Sequence, residues 1–395
     1  METKNILRRH DLDWLRVLAI LSVFIYHSTR FFNIEDWHVK NATRYWSVEL
    51  LDSFMVIWMM PLIFVISGAS IYYAMRKGGV GKFVKDKVLR LLVPLAVGAF
   101  THASLQVYLE RLTHGQFSGS YFQFLPHYFE GVYMAVGEPG NFAFAGMHLW
   151  YLLILFVFSL VAYPLFRWLK GGGQGVLDLF GRTLALPGMT YLLALPLIVL
   201  EALISDTPWE FGSGGWGFLY YLWFFLAGFV LVSNDRLQAR IESSRWVSLV
   251  LGAALTAGLM YILVFAPESA FGEAVDDLLL SFGAWALILA ALGFGRRRLS
   301  SSSSFLEYAS PAVLPFYIFH QTVLLCAGFY ILRWDIPDLL KWLLIATSSF
   351  AAILVLYELF VRRFNGMRFL FGMRPLKAST QQTRQPLLSG ATERS

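Results

Sequence analysis

Long apolar runs recur along this chain, separated by short polar stretches. Five lie near Trp14–Phe32, Ser53–Tyr73, Leu91–Leu109, His148–Trp168 and Met189–Ser205. Five more lie near Trp216–Ser233, Trp246–Phe265, Leu278–Phe294, Pro311–Leu332 and Leu339–Val361. A helix needs about 20 apolar residues to cross a hydrocarbon core about 30 Å thick. The pattern therefore predicts an all-α fold, a polytopic membrane helical bundle of about ten transmembrane helices. Pro187, Pro196 and Pro208 crowd the fifth and sixth runs and blur their ends. The first run is full length and no small-residue cleavage site closes it, so it reads as a retained span rather than a signal peptide.

Composition agrees. Of 395 residues, 57% are hydrophobic and 15% charged, and the mean hydropathy is +0.57. A soluble domain carries about 25% charged residues. There are too few charges here to cover a soluble exterior, which excludes a soluble globular enzyme and a disordered chain. The single cysteine, Cys326, excludes a disulfide scaffold and a multi-Cys metal site. A net charge of +6 is too small to point to nucleic acid. The 13 Trp, 18 Tyr and 35 Phe suit membrane interfaces and a packed bundle.

The distribution of charge is more informative than its sum. With ten spans both termini lie on one side. All but six of the 32 Lys and Arg residues then share that side, the exceptions being Arg30, Lys40, Arg44, Arg111, Arg333 and Lys341. Cytoplasmic loops hold the excess of basic residues, so both termini are expected in the cytoplasm. Residues 1–363 read as one transmembrane domain and 364–395 as a polar, disordered cytoplasmic tail. The Gly171–Gly175 and Ser300–Ser304 runs read as flexible cytoplasmic linkers. Glu110–Met147, the longest external loop, carries aromatics, Gly, His114 and His127. Its length suits a lid or acceptor surface, or an ordered cap without chemistry. No internal or inverted repeat is visible, which disfavours a transporter.

Ionisable groups at membrane depth are costly and mark candidate sites. Arg16 and His27 are 11 residues apart in the first run. At 100° per residue that is about three turns, so both lie on one helical face, with His27 about 16.5 Å deeper. Asp13 is one turn before Arg16 and can pair with it; Arg30 is one turn beyond His27. Taken alone, Arg16 would snorkel to headgroups and His27 would bond a neighbouring helix. The pair on one face points to function. His320, with Tyr317 one turn before it, reaches mid-depth in the ninth run and can line the same cavity as His27. His148 opens the fourth run beside Trp150 and Tyr151, where an interfacial anchor is the commoner role and substrate contact the sharper one. His102 is isolated and reads as packing. The cluster Arg76–Arg90 serves the positive-inside bias or lipid binding. Alternatively, Lys87 and Arg90, at i and i+3 where the third run begins, grip the phosphates of a cytoplasmic donor. There is no G-x-S-x-G, P-loop or H-E-x-x-H motif. No carboxylate stands at the depth of His27 and His320, so no metal site is expected.

Leu12-Asp13-Trp14-Leu15-Arg16, then ten residues, then His27-Ser28, resembles the opening of the acyltransferase-3 family of integral membrane acyltransferases, with its Arg-x10-His signature. Phe64-Val65-Ile66-Ser67-Gly68 is similar to that family's second span, and Lys87-Val88-Leu89-Arg90-Leu91-Leu92-Val93-Pro94 to the entry of its third. Met147-His148-Leu149-Trp150-Tyr151 and Pro315-Phe316-Tyr317-Ile318-Phe319-His320-Gln321 resemble its His-Leu-Trp and late Tyr-x-x-His segments, in the manner of a glucan-modifying branch. The resemblance covers Met1 to about Arg363. It implies ten core spans in a bacterial inner membrane and transfer of an acyl group. The donor is cytoplasmic acyl-CoA, such as acetyl-CoA or succinyl-CoA. The acceptor is a hydroxyl of an external carbohydrate or lipid-linked glycan.

The residues and the resemblance meet at His27. A neutral imidazole suits a general base for a sugar hydroxyl, and a covalent acyl-His relay is the alternative. His320 and Tyr317 would orient the acceptor or stabilise the oxyanion. Arg16, Lys87 and Arg90 would bind the donor, and Asp13, His148 and Trp150 would complete the substrate contacts. Membrane lipids are the remaining partner. A flippase for a modified glycan precursor and a non-catalytic scaffold are the rival readings.

Overall fold

The computed structural model describes residues 8–75, 79–204, 217–265 and 272–376. Arg76 and Lys77 of the basic cluster, and the tail beyond residue 376, lie outside the described residues. Each of the ten apolar runs falls on helix. The helices are α1 (His10–Thr29), α2 (Trp46–Ala74), α3 (Val80–Thr113), α4 (Trp150–Val161), α5 (Tyr163–Leu169), α6 (Gln174–Leu184) and α7 (Leu195–Ile204). After them come α8 (Phe218–Leu231), α9 (Asp235–Ser243), α10 (Arg245–Phe265), α11 (Gly272–Arg298), α12 (Ser304–Ile331), α13 (Asp338–Leu356) and α14 (Asn365–Leu370).

Among the described residues six helices are long and apolar enough to cross a membrane, or up to nine if each of three bent pairs is one span. The protein is thus a polytopic helical membrane bundle. α1 is not among these, although its 20 residues are long enough to span. Asp11, Asp13, Arg16 and His27 give it a polar content that interrupts its apolar run. α4 and α5 meet at 48°, where Pro164 removes a backbone donor.

α1 packs against α2, α12 and α11, while α8 lies along α2 and α10 along α11. The α2–α8 approach is backbone to backbone. A Cβ on Gly68 would overlap the Phe225 carbonyl, and one on Gly228 the Val65 carbonyl. Only glycine admits so close a crossing.

The two ends of the bundle differ in chemistry. At one end Arg9 donates to Tyr73 and to Gln238, 2.6 Å each, joining the start of α1 to the end of α2 and to α9. Arg296, at the end of α11, also donates to Gln238 (2.7 Å). At the other end Tyr45 meets Asp338 (2.8 Å) and Lys341 meets Asn41 (3.3 Å). There too, Thr113 donates to the His38 carbonyl (2.7 Å).

Two loop regions are more ordered than their sequence suggests. Residues 114–147 form a folded cap on the outer half of α3. Phe124, Tyr128 and Ala143 make a small apolar core with Ala103 and Val107, and the Tyr128 hydroxyl donates to the Ala99 carbonyl (2.6 Å). The assignment of 364–395 as a disordered tail needs correction for its first part. Residues 364–376 fold back on the bundle because Phe371 buries its ring 4.7 Å from that of Phe319.

Candidate functional site

The polar face of α1 opens on a cavity of about 790 Å³. It runs from Arg8 and Ser310 at the basic end to Ile20 and Tyr317 inside. Arg16, Asp13, Arg90 and Tyr317 all stand on its wall, with Ser67, Ser70 and Tyr151 between them. Arg16 donates to the Ser70 hydroxyl (2.6 Å) and lies 3.4 Å from Asp13. Asp13 in turn accepts from Arg8 (2.8 Å). Arg16 is thereby held off the headgroups and across the cavity. Ser67 and Tyr151 are bonded to each other (2.6 Å). Ile63, Leu152, Leu155 and Leu314 supply an apolar lining beside this polar set.

Beyond the inner end of the cavity three histidines from three elements converge. The rings of His27 and His320 are 4.9 Å apart, and those of His320 and His148 also 4.9 Å. A carbonyl oxygen can only accept, so the carbonyls decide where the ring protons lie. His320 Nδ1 is 2.6 Å from the Tyr317 carbonyl and therefore carries its proton, leaving Nε2 bare. His27 Nδ1 is 2.9 Å from the Val23 carbonyl and 3.3 Å from His320 Nε2. Its one proton serves both acceptors. His27 Nε2 is then left with a free lone pair and no hydrogen-bond partner among the described residues. His27 as a residue is partly exposed.

His148 is held differently. Its Nε2 donates to the Tyr317 and Ile318 carbonyls, 3.2 Å each, and its Nδ1 accepts from Gln106 (3.2 Å). Gln106 also donates to Thr322 (2.6 Å) and accepts from Gln321 (3.0 Å). The Tyr317 hydroxyl donates to the backbone carbonyl of His148. His148 and Tyr317 thus tie the start of α4 to α12, and neither has a ring proton or hydroxyl proton to spare.

The structure does not bring every candidate to this centre. Trp150 packs its ring against Tyr221 (5.5 Å) and Phe64 (6.2 Å), within the apolar core. Lys87 holds its ammonium 5.5 Å above the Phe83 ring, beside the cavity rather than on its wall. His102 stands against Phe319 and Phe371. Among the described residues no three His, Cys, Asp or Glu side chains gather as a metal site would require.

Sequence reasoning missed a second polar centre at the end of the bundle opposite the arginine-lined cavity. His38, in the loop after α1, donates from Nδ1 to the fully buried Glu110 (2.5 Å). Glu110 also accepts from Tyr133 (2.8 Å), the Gly137 amide (3.0 Å) and Arg111 (3.3 Å). Burial and the Glu110 carboxylate hold the Tyr133 hydroxyl far above its ordinary phenol value. In the same loop as His38, burial and then the charges of Arg30 and Arg44 push the Lys40 ammonium down to about 7. The sequence reading placed Glu110 at the start of the external loop, whereas it lies in the last turns of α3; His38 and Tyr133 reach it from loops.

Comparison with known proteins places these features in a family. A family model described as an acyltransferase domain, acyltransferase-3, matches residues 9–358. Among curated relatives are the Glucans biosynthesis protein C of Salmonella paratyphi B and that of Salmonella enteritidis PT4. Each is 24% identical over 384 residues, covering 93% of this chain and 95% of the relative. No solved structure matches the chain.

Proposed function

The chain belongs to the acyltransferase-3 family and is a multi-pass membrane acyltransferase. We propose that it takes an acyl group from cytoplasmic acyl-CoA and passes it to a hydroxyl of a glycan on the far side of a bacterial inner membrane, with His27 as general base. The relatives carry a glucan in their name, which supports a glucan or related carbohydrate as acceptor. The observation that carries the reading is the free lone pair of His27 Nε2 beyond a cavity whose outer half is lined with arginine.

In this scheme the cavity takes the donor. Arg90 lies at its basic end with Lys87 beside the cavity, Arg16 stands across its middle, and the apolar lining suits a pantetheine arm. His27 Nε2 removes the proton of the acceptor hydroxyl as its oxygen attacks the thioester carbon. The C–S bond breaks, and the imidazolium returns the proton to the leaving thiolate. His320 contributes by accepting from His27 Nδ1, which holds the ring with Nε2 bare. Membrane lipids surround the bundle.

The test is transfer of radiolabelled acetyl-CoA or succinyl-CoA label to glucan oligosaccharides by the purified protein. Ester formation is expected, and His27→Ala should lower its rate by about 10²–10⁴ while the protein still folds. Normal acylation by that variant would overturn the base assignment. Movement of an unesterified glycan across a vesicle would favour the flippase.

A further inference from the structure

The chain does not leave the bundle at the end of its last long helix. α14 starts at Asn365, and Gly372, with φ +66°, ends the turn that follows it. A Cβ at Gly372 would lie 2.7 Å from the Arg90 carbonyl and 2.9 Å from Pro94. Phe371 is anchored on Phe319 and His102. Arg368 shapes the segment internally, donating to the Arg374 carbonyl (2.7 Å) and the Arg362 carbonyl (3.1 Å). Leu376 N donates to Asn365 (2.8 Å). The segment is therefore seated against the entry of α3, and Arg368, Gly372 and Arg374 form part of the cavity wall.

The arginines on that wall are not equivalent. Arg8, Arg9 and Arg16 each have side-chain acceptors. Arg368 spends its donors on backbone carbonyls. Arg90 and Arg374 have exposed guanidiniums and no acceptor among the described residues. Both line the same cavity, and Asp86 makes no ion pair with Arg90. Exposed arginines at the cytoplasmic end need no ligand by themselves. Two unpaired ones facing a single nucleotide-sized cavity, brought together by a segment built to reach it, do. A guanidinium fork matches a phosphate bidentately.

We propose that residues 365–376 complete a phosphate clamp in which Arg90 and Arg374 together grip a phosphate group at the cavity mouth, that of the acyl donor's nucleotide. The proposal rests on the reading of this cavity as the donor site. Arg374 lies beyond residue 358, where the family match ends.

The same chemistry could recognise an anionic lipid headgroup, and the test separates the two. The full-length protein is placed in nanodiscs of neutral phosphatidylcholine and titrated with free CoA. Arg374→Gln and Arg90→Gln should each weaken CoA binding about tenfold. Both should raise the KM for acyl-CoA with little change in kcat, and leave a short acyl thioester without phosphates unaffected. Gly372→Ala, which keeps every charge but displaces the segment, should raise the same KM. Wild-type CoA affinity in Arg374→Gln overturns the clamp while leaving the donor site intact. Loss confined to phosphatidylglycerol nanodiscs assigns the pair to lipid and also overturns it. Absence of CoA binding by the wild-type protein overturns the donor reading and the clamp with it.

Discussion

His27 can act as a base because two backbone carbonyls dictate where the neighbouring protons sit. The Tyr317 carbonyl accepts from His320 Nδ1, and the His320 Nε2 left bare helps to keep the His27 proton on Nδ1. His320 is therefore a positioning residue, and its conservative and disruptive variants should differ. The amide oxygen of His320→Gln can still accept from His27, whereas His320→Leu cannot. Losing an outer partner of this kind costs about 10–100-fold. The leucine variant is expected to lose about that much kcat, and the glutamine variant markedly less. Equal rates for the two in the same transfer assay would show that His320 only fills space. Arg16 and His27 were legible in the sequence because a charge at membrane depth is expensive, so its presence and periodicity carry information. His38 was not legible. It lies in a short polar loop where a histidine is unremarkable, and its partner Glu110 is 72 residues away.

At the scale of elements, the long apolar runs each fall on helix, because the hydrocarbon core leaves helix as the one way to satisfy a backbone, though only six to nine of the described elements pass as spans. What hydropathy could not resolve was shape and everything outside the core. α6 and α9 are short amphipathic helices at the bundle's end, joined at 114° and 108° to their partners in the bent pairs. The return of residues 364–376 depends on Phe371 finding a groove between α3 and α12, a tertiary fact invisible in a polar tail. The α2–α8 crossing was equally hidden, yet it sets the cavity. α2 carries Ser67 and Ser70 onto the wall and holds Arg16 through Ser70. Gly228→Ala forces a methyl into the Val65 carbonyl, and overpacking of this type costs about 1–3 kcal/mol. Its thermal midpoint and its transfer rate should both fall. Gly258→Ala is the control, since its Cβ meets Leu279 at an ordinary 3.7 Å. Equal stability of the two variants would mean that the crossing relaxes freely and does not shape the site.

For the whole molecule the decisive property is that its two ends are chemically distinct while its histidines lie between them. The arginine-lined cavity opens at the end that gathers the starts of α1, α9 and α12. The folded cap, with its buried Glu110, covers the other. His320 links the two, bonding the carbonyl of Tyr317, a residue of the cavity wall, and His27. A site built this way can take donor and acceptor from opposite faces without moving either across. In sealed vesicles with the basic end outward, acyl-CoA added outside should label a glucan trapped in the lumen, and glucan added outside should gain little. Reversing the vesicles should abolish labelling unless the donor is supplied inside. Equal labelling of acceptor on the donor's own side would show that both substrates enter through the arginine-lined mouth. The cap would then be a structural cover rather than the acceptor's door.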